Sequence, residues 1–454
     1  MTRSRPARLI VLLAAFAIAA AACSSDNKTS SGGGASAGSE SGTAQGGPWK
    51  ADTSNCPSEV NTKITGTVKL GTTLPLSGGA AAAAFAPVAD GLKAYIQYAN
   101  KNNVVPGYQL QLSIEDDQYN PTLTTPAVEK LRDQTGVNLF TGMIGTPNNL
   151  AVRDSLNSDC IPQLLANSGD PRWGQVKQFP WTTGALVPYN TETAIYVDDI
   201  KKQFPSGTTV AVFNVNSDFG QDYRDTLEKL AGAAKLNIVD RQTIEGTDSS
   251  PPTSQVTSIA SHKPDVIVAV PLGAQCPAFL KEVANAKAAN PGWTPRIYLT
   301  STCASTLLLG LAGPAADGIF TVVSGKDVSD PKNANDPQVK TFKQAMTDYG
   351  FKPDGDYPTA AAGWAVGELT AQILKQAAAS PDGLTRATII DAARNFNYHP
   401  SLARDGVQFM MNGEQDPYLN EQQQIVQYNA SSKTYTDIGP LNKSFEGKTE
   451  VPPS

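Results

Sequence analysis

The stretch DVIVAVPL, residues 265–272, holds five consecutive aliphatic residues, Val266 to Val270, with no polar alternation. A strand with one face in water alternates apolar and polar side chains. An unbroken aliphatic run fits a strand covered on both faces, as in a parallel sheet. Parallel neighbours need long crossover connections, usually helical, and this chain supplies them repeatedly. VKLGTTL (68–74) reads as a strand and leads into the Gly/Ala loop PLSGGAAAAAF. A helix follows, with Val88, Leu92, Tyr95, Ile96 and Ala99 at helical spacing. YQLQLSIEDD alternates strictly, TLTTPAVEKLRDQ reads as helix, VNLFTGMIG as strand, PNNLAVRDSLN as helix and IPQLLANS as strand. After FPWTTG come a helix over 191–204, the strand TTVAVFNVN, the helix GQDYRDTLEKLAGAA, the strand NIVDRQTIE and the helix TSQVTSIASH. DVIVAVPL, the helix PAFLKEVANAKAA and the strand RIYLTS close the series. Beyond GIFTVVSG three helices follow with little strand between them; VQFMM and QQQIVQYN are late strands, and the chain ends in a polar tail. Repeated β-α alternation predicts an α/β fold built of doubly wound parallel sheets.

The N-terminus reads differently. Arg3, Arg5 and Arg8 precede an apolar run from Leu9 to Ala22, which stops at Cys23. Roughly 14 residues are too few to span a bilayer, which takes about 20; the layout is that of a secretory signal. Ala20, Ala21 and Ala22 before the cysteine resemble a bacterial lipobox, although Ala20 stands where that pattern usually has Leu. The resemblance implies that Cys23 is lipidated and becomes the mature N-terminus. The run SSDNKTSSGGGASAGSESGTAQGGP (24–48) has no large apolar residue and cannot offset its ordering entropy by burial. It is expected to be a flexible tether with a reach of about 25–30 Å.

A body of roughly 390 residues exceeds what one core normally supports, so two lobes are expected. Removal of the signal takes three arginines and moves the formal charge from −6 to −9. No basic face is indicated, and nucleic acid is not an expected partner. Cys56, Cys160, Cys276 and Cys303 remain beside Cys23. An even number in an exported chain suggests disulfides. Of three pairings, Cys56–Cys160 with Cys276–Cys303 is favoured, because the second pair lies just beyond two candidate parallel strands. No metal is expected: no cysteines have close ligand spacing and the chain has two histidines.

Those histidines, His262 in ASHKPD and His399 in NYHPS, sit at a helix end and in a loop. Neither fits a Ser-His-Asp or Cys-His arrangement, and nucleophile-elbow, zinc-protease and P-loop motifs are absent. Gly78 and Gly79 precede a helix, but no Lys-Ser/Thr follows to make a phosphate cradle. Glu115, Asp116 and Asp117 read as a strand exit, with Asn120 or Thr122 capping the next helix. No cofactor and no enzymatic activity are expected. The loops after the strands, PLSGG, IGTPNN, LANSGD, NSDFGQ, VPLGAQ and TSTCAS, are rich in small residues and hydroxyls. Ligands of open α/β sheets bind at such carboxyl ends, so these loops describe a binding site.

The order strand, PLSGG, ADGLKAYIQYAN, LQLSIEDDQYNP, then NVNSDFGQDYRDTLEKLAG and GPAADGIF resembles the branched-chain amino acid (leucine-binding) type of ABC-transporter substrate-binding protein, a periplasmic binding protein of type I. The resemblance spans roughly residues 65–440. It implies two α/β lobes joined by three crossings: lobe 1 from 63–184 plus 315–400, lobe 2 from 185–314 plus 401–440. Before them stand a signal (1–22) and a lipidated tether (23–62), and after them a tail (441–454). It implies ligand contacts at Ser77 to Phe85, Gly145-Thr146 and Ala166-Asn167-Ser168 on the first lobe, and at Phe219, Leu272-Gly273 and Ser301 on the second. Where amino-acid binders place an acidic residue for the ligand's ammonium, this chain reads YLTSTCAS, with Thr300, Ser301 and Thr302; that departs from an amino-acid site. Trp173 and Trp181 either wall the pocket or pack the core. The implied function is capture of a small amino-acid-like, carboxylate or amide solute on the extracytoplasmic face of a membrane, held there through the lipid anchor, for delivery to permease subunits. A sensory lipoprotein that reports the solute to a membrane partner is the alternative.

Overall fold

The computed structural model describes residues 48–351 and 357–453; the expected signal, Cys23 and most of the tether lie outside them. Among the described residues no helix is long and apolar enough to cross a membrane.

The first lobe opens with β1 (Thr67–Leu74), α1 (Gly79–Lys101), β2 (Gln109–Asp116), α2 (Pro121–Glu129), β3 (Leu139–Thr141), α3 (Thr146–Ser158), β4 (Gln163–Ala166) and β5 (Thr182–Gly184). These strands form a five-stranded sheet in the order β2-β1-β3-β4-β5, parallel throughout. The chain then crosses into α4 (Tyr189–Gln203), β6 (Thr208–Val215), α5 (Asp218–Ala231), β7 (Leu236–Ile244), α6 (Thr253–His262), β8 (Val266–Val270), α7 (Gln275–Ala289), β9 (Arg296–Leu299), α8 (Thr306–Ala312) and β10 (Phe320–Val323). The aliphatic run Val266–Val270 is β8. It lies between β6 and β9, and all five residues are buried. The chain returns for α9 (Pro337–Asp348), α10 (Tyr357–Ala378), α11 (Arg386–Arg394) and the hairpin β11 (Asn395–Tyr398) and β12 (Phe409–Asn412). It crosses a third time into β13 (Gln424–Asn429) and β14 (Thr434–Asp437), which extend the second sheet antiparallel from β10. The fold is thus two doubly wound α/β lobes joined by three crossings.

The lobe boundaries differ from expectation in four places. β10 pairs with β9 and β13, so the chain leaves the second lobe after Val323 rather than at 315. The hairpin side chains Phe396, Phe409 and Met411 belong to the first lobe's core, so the third crossing follows residue 412 rather than 400. The expected tether ends earlier than residue 62: the Trp49 N–H donates to Asn395 Oδ1 at 2.8 Å and the Ala51 N–H to Asp391 Oδ1 at 2.8 Å. Residues 442–453 are not a loose tail, because the Asn442 N–H bonds Gln423 O at 2.8 Å and the Gln175 amide donates to Pro453 O at 3.0 Å.

Disulfides join Cys56 to Cys160 and Cys276 to Cys303, the favoured pairing of the three. They close separations of 104 and 27 residues. By loop-closure entropy each stabilises by about 3–5 kcal/mol, the longer loop more. In the first lobe α1 packs on α10 backbone to backbone. A methyl group on Gly91 would stand 1.7 Å from the Ala360 carbonyl oxygen, and one on Gly363 1.9 Å from that of Val88. Only glycine permits that approach.

Candidate functional site

Strand carboxyl ends of both sheets face one cleft, and there a cavity of about 230 Å³ is walled from both lobes. The first lobe contributes Ala84, Phe85 and Val88 from α1, Tyr119 from the turn before α2, Ile144, Gly145 and Asn167 from loops after β3 and β4, and Pro358, Thr359 and Ala362 from α10. Leu186 comes from the first crossing. The second contributes Tyr189 at the start of α4, Phe219 in the first turn of α5, Leu272 after β8, and Ser301, Thr302, Ala304, Ser305 and Leu308 around α8. The Tyr189 and Phe219 rings meet edge to face at 5.1 Å, an arrangement that aromatic quadrupoles favour. Among the described residues no charged side chain lines the cavity.

The lobes touch around it. The Ala274 N–H donates to Ala80 O at 3.0 Å across the cleft. Gly273 sits at φ +54°, and a methyl group there would lie 2.3 Å from the same Ala80 oxygen. On another side Arg172 Nη2 donates to Asp218 Oδ1 at 2.9 Å, linking the segment after β4 to the start of α5.

Of the ten ligand-contact residues expected from sequence, Phe85, Asn167, Phe219, Leu272 and Ser301 line the cavity. Thr146 and Ser168 do not. They are buried and joined Oγ1 to Oγ at 2.7 Å behind Gly145, so they shape the loops rather than present hydroxyls to the space. Ala166 is the buried last residue of β4. Ser77 is exposed and its hydroxyl is held by Asp116. Gly273 makes the interlobe contact just described. Trp173 and Trp181 are each 2% exposed and lie outside the cavity lining. Trp173 Nε1 donates to Ser168 O at 3.2 Å and Trp181 joins the first lobe's core; both are packing residues.

The strand-exit acids have structural partners. Asp117 accepts from Thr124 Oγ1 at 2.9 Å and Asn148 Nδ2 at 3.1 Å, and burial pushes its carboxyl up. Glu115 pairs with Lys130 at 2.8 Å, and Asn120 caps α2 by accepting from the Thr122 N–H. Neither histidine lines the cavity; His262 Nδ1 bonds Ser258 O at 3.0 Å and His399 Nδ1 bonds Val407 O at 2.7 Å.

Sequence reasoning missed Glu192. It is fully buried in the first turn of α4, where Oε1 accepts from Tyr196 Oη at 2.7 Å and the Ser301 N–H at 2.8 Å, and Oε2 from Ser301 Oγ at 2.5 Å. Burial raises its pKa, opposed by the hydrogen bonds from Ser301 and Tyr196. Its effect is to fix Ser301, and with it one wall of the cavity. Tyr119, Tyr189, Leu186 and the α10 residues were missed as well; only folding brings α10 to the cleft.

A family profile described as periplasmic binding protein matches residues 67–430. No curated protein matches the sequence. Among solved structures, a branched-chain amino acid ABC transporter protein from Thermus thermophilus with bound valine is similar at 19% identity and TM-score 0.73, covering 84% of this chain and 97% of the other. A possible leucine/isoleucine/valine-binding protein from Rhodopirellula baltica SH 1 matches at 20% identity and TM-score 0.67, over 84% and 98%. A fatty acid ABC transporter substrate-binding protein from Thermomonospora curvata matches at 18% and TM-score 0.70, over 86% and 97%. At such identities the likeness is one of fold. The profile, which spans most of the sequence and both lobes around the cleft, places the chain: it belongs to the periplasmic binding protein family, whose members bind solutes rather than transform them.

Proposed function

We propose that this protein is the extracytoplasmic solute-binding component of an ABC importer, anchored to the membrane through a lipidated Cys23. It captures a small carboxylate, amide or amino-acid-like solute by closure of its two lobes and presents the closed form to permease subunits. The observation that carries this reading is the cavity whose walls come from both lobes. A ligand in it touches residues of both, so its binding energy favours the closed arrangement over the open one. The Phe85, Asn167, Phe219, Leu272 and Ser301 side chains are the contacts assigned to it. Solved relatives of the fold include one with bound valine and one described for fatty acids.

Three measurements test the reading. A thermal-shift screen over amino acids, amides, aromatic and aliphatic acids and small ureas should find a stabilising solute, because a ligand at 100 times its dissociation constant adds about 2.7 kcal/mol. Deletion in the native cell should abolish uptake of that solute; intact uptake with a lost transcriptional response would mark a sensor instead. Metabolic labelling with a fatty acid should tag the wild-type chain and not Cys23→Ser.

A further inference from the structure

Given a solute in this cleft, we propose that it is a molecule with an apolar body and one oxygen-bearing head, a monocarboxylate or its neutral amide, and that it carries no ammonium group. A free α-amino acid does not fit.

An ammonium group moved out of water is costly unless a carboxylate meets it with good geometry. Among the described residues no carboxylate lines the cavity, and Glu192, Asp117 and Asp218 behind its walls are engaged. Glu192 holds the Ser301 N–H at 2.8 Å and the Tyr196 hydroxyl at 2.7 Å. Asp117 holds Thr124, Asn148 and the Tyr119 N–H. Asp218 holds Arg172 at 2.9 Å. Freeing any of them for a ligand would strip a buried donor or a cation of its partner, which costs about as much as the new pair returns.

Phe85, Ile144, Leu186, Phe219, Leu272 and Leu308 present apolar surface from both lobes, so desolvation of a hydrocarbon body is the main source of affinity. Polar capacity is confined to uncharged groups. Among the described residues the Asn167 side-chain amide and the Thr359 hydroxyl have no hydrogen-bond partner, and both line the cavity. An amide and a hydroxyl can donate to a carboxylate or a carbonyl oxygen equally well; neither replaces a counter-ion for an ammonium.

A second cavity of about 240 Å³ shares Asn167, Leu186, Pro358 and Ala362 with the first and continues between Val366, Leu369, Leu402 and Phe409. It too is largely apolar, with Lys326 at its edge paired to Asp336 at 2.8 Å. Together the two approach the size of sites for drug-sized ligands, larger than a branched-chain amino acid needs.

Calorimetric titration of the full chain with matched probes tests this: leucine against 4-methylpentanoate and 4-methylpentanamide, phenylalanine against 3-phenylpropanoate, and octanoate for length. The acid or amide is expected to bind at least tenfold tighter than the amino acid of the same skeleton, and octanoate at least as tightly as 4-methylpentanoate. An amino acid that binds as well as its partner lacking the amine overturns the proposal and leaves the solute-receptor reading standing. So does binding of a sugar, peptide or polyamine with none of the probes bound. If no solute of any class binds, the receptor reading itself falls, and this inference with it. Asn167→Asp, checked for an unchanged melting profile, should weaken the acid at least tenfold and the amide less than threefold. Equal effects on both would remove the head group from Asn167.

Discussion

Arg172 of the first lobe and Asp218 of the second are joined across the cleft, guanidinium nitrogen to carboxylate oxygen, at 2.9 Å. The same guanidinium also binds the fully buried Asp170 at 2.5 Å. The two halves of this ion triad have different value. The Asp218 side chain is 41% exposed, so its pair with Arg172 is worth about 0.2–1 kcal/mol. Asp218→Asn should therefore weaken solute affinity only about twofold to fivefold, through an easier opening of the lobes, with little change in melting temperature. Arg172→Ala leaves Asp170 buried without its cation and should cost about 1–3 kcal/mol of stability. Chemical denaturation of both variants, with calorimetry, separates the two effects; equal destabilisation would refute the division.

Closure also depends on Gly273. A methyl group there meets Ala80 O at 2.3 Å, on a backbone already at φ +54°. Gly273→Ala should hold the second lobe back from α1 and lower affinity by tenfold or more. Both lobe cores should stay intact, since Gly273 lies in a loop between β8 and α7. Small-angle scattering should report a larger radius of gyration in saturating solute than for wild type.

A third expectation concerns pH. Burial in α5, with the Asp170 and Asp218 carboxylates close by, pushes Asp222 up to about 9. Its Oδ2 has no hydrogen-bond partner among the described residues. Between the ordinary carboxylate range and pH 9 the folded protein binds a proton here that the unfolded chain has lost. Stability from this group is thus fully present at acid pH and falls as pH rises, by up to about 1.4 kcal/mol per unit. Asp222→Asn removes that dependence. Urea denaturation at pH 5 and pH 8 should show the variant gaining on wild type at the higher pH; a constant difference would contradict the assignment.

Two glycines should respond oppositely to the same added methyl. At Gly91 the Ala360 carbonyl is 1.7 Å away, and Gly91→Ala should force α1 off α10 at a cost of about 1–3 kcal/mol or more. Gly310 in α8 has nothing within 4 Å. Gly310→Ala should stabilise by about 0.5–1 kcal/mol through the unfolded chain and helix propensity. Thermal melts read both.

The parts of the fold visible in the sequence were those with a strong local period. The aliphatic run at β8 announced a covered strand, and the spacing of Val88, Leu92, Tyr95 and Ile96 announced α1. β5, three residues from Thr182 to Gly184, is too short to show a period, so the fifth strand of the first sheet went unseen. α8, seven residues between two loops, escaped for the same reason. At the site, loops after strands are where a doubly wound sheet exposes backbone, and within them the family resemblance pointed to Asn167, Leu272 and Ser301. It could not tell a hydroxyl facing the cavity from one tied up behind it, as at Thr146 and Ser168, because that depends on rotamers. Nor could it find Pro358, Thr359 and Ala362, which follow the second crossing and reach the cleft only because glycines let α10 press against α1. For Trp173 and Trp181 the sequence left a pocket wall and a packing role both open, because aromatic size signals burial without saying in which place; the structure packs both.

The segment after β14 runs back over both lobes. Glu450 pairs with Lys229 on α5 at 2.5 Å, the Glu421 carboxylate accepts the Gly447 and Thr449 N–H groups, and Pro453 O is bound by Gln175 on the other side. The hinge therefore has a ligament as well as its three covalent strands. Any swing that parts Gln175 from Lys229 must either peel this strip from one of them or stretch it, so how wide the jaws gape is governed by residues distant in sequence from every loop that grips the cargo.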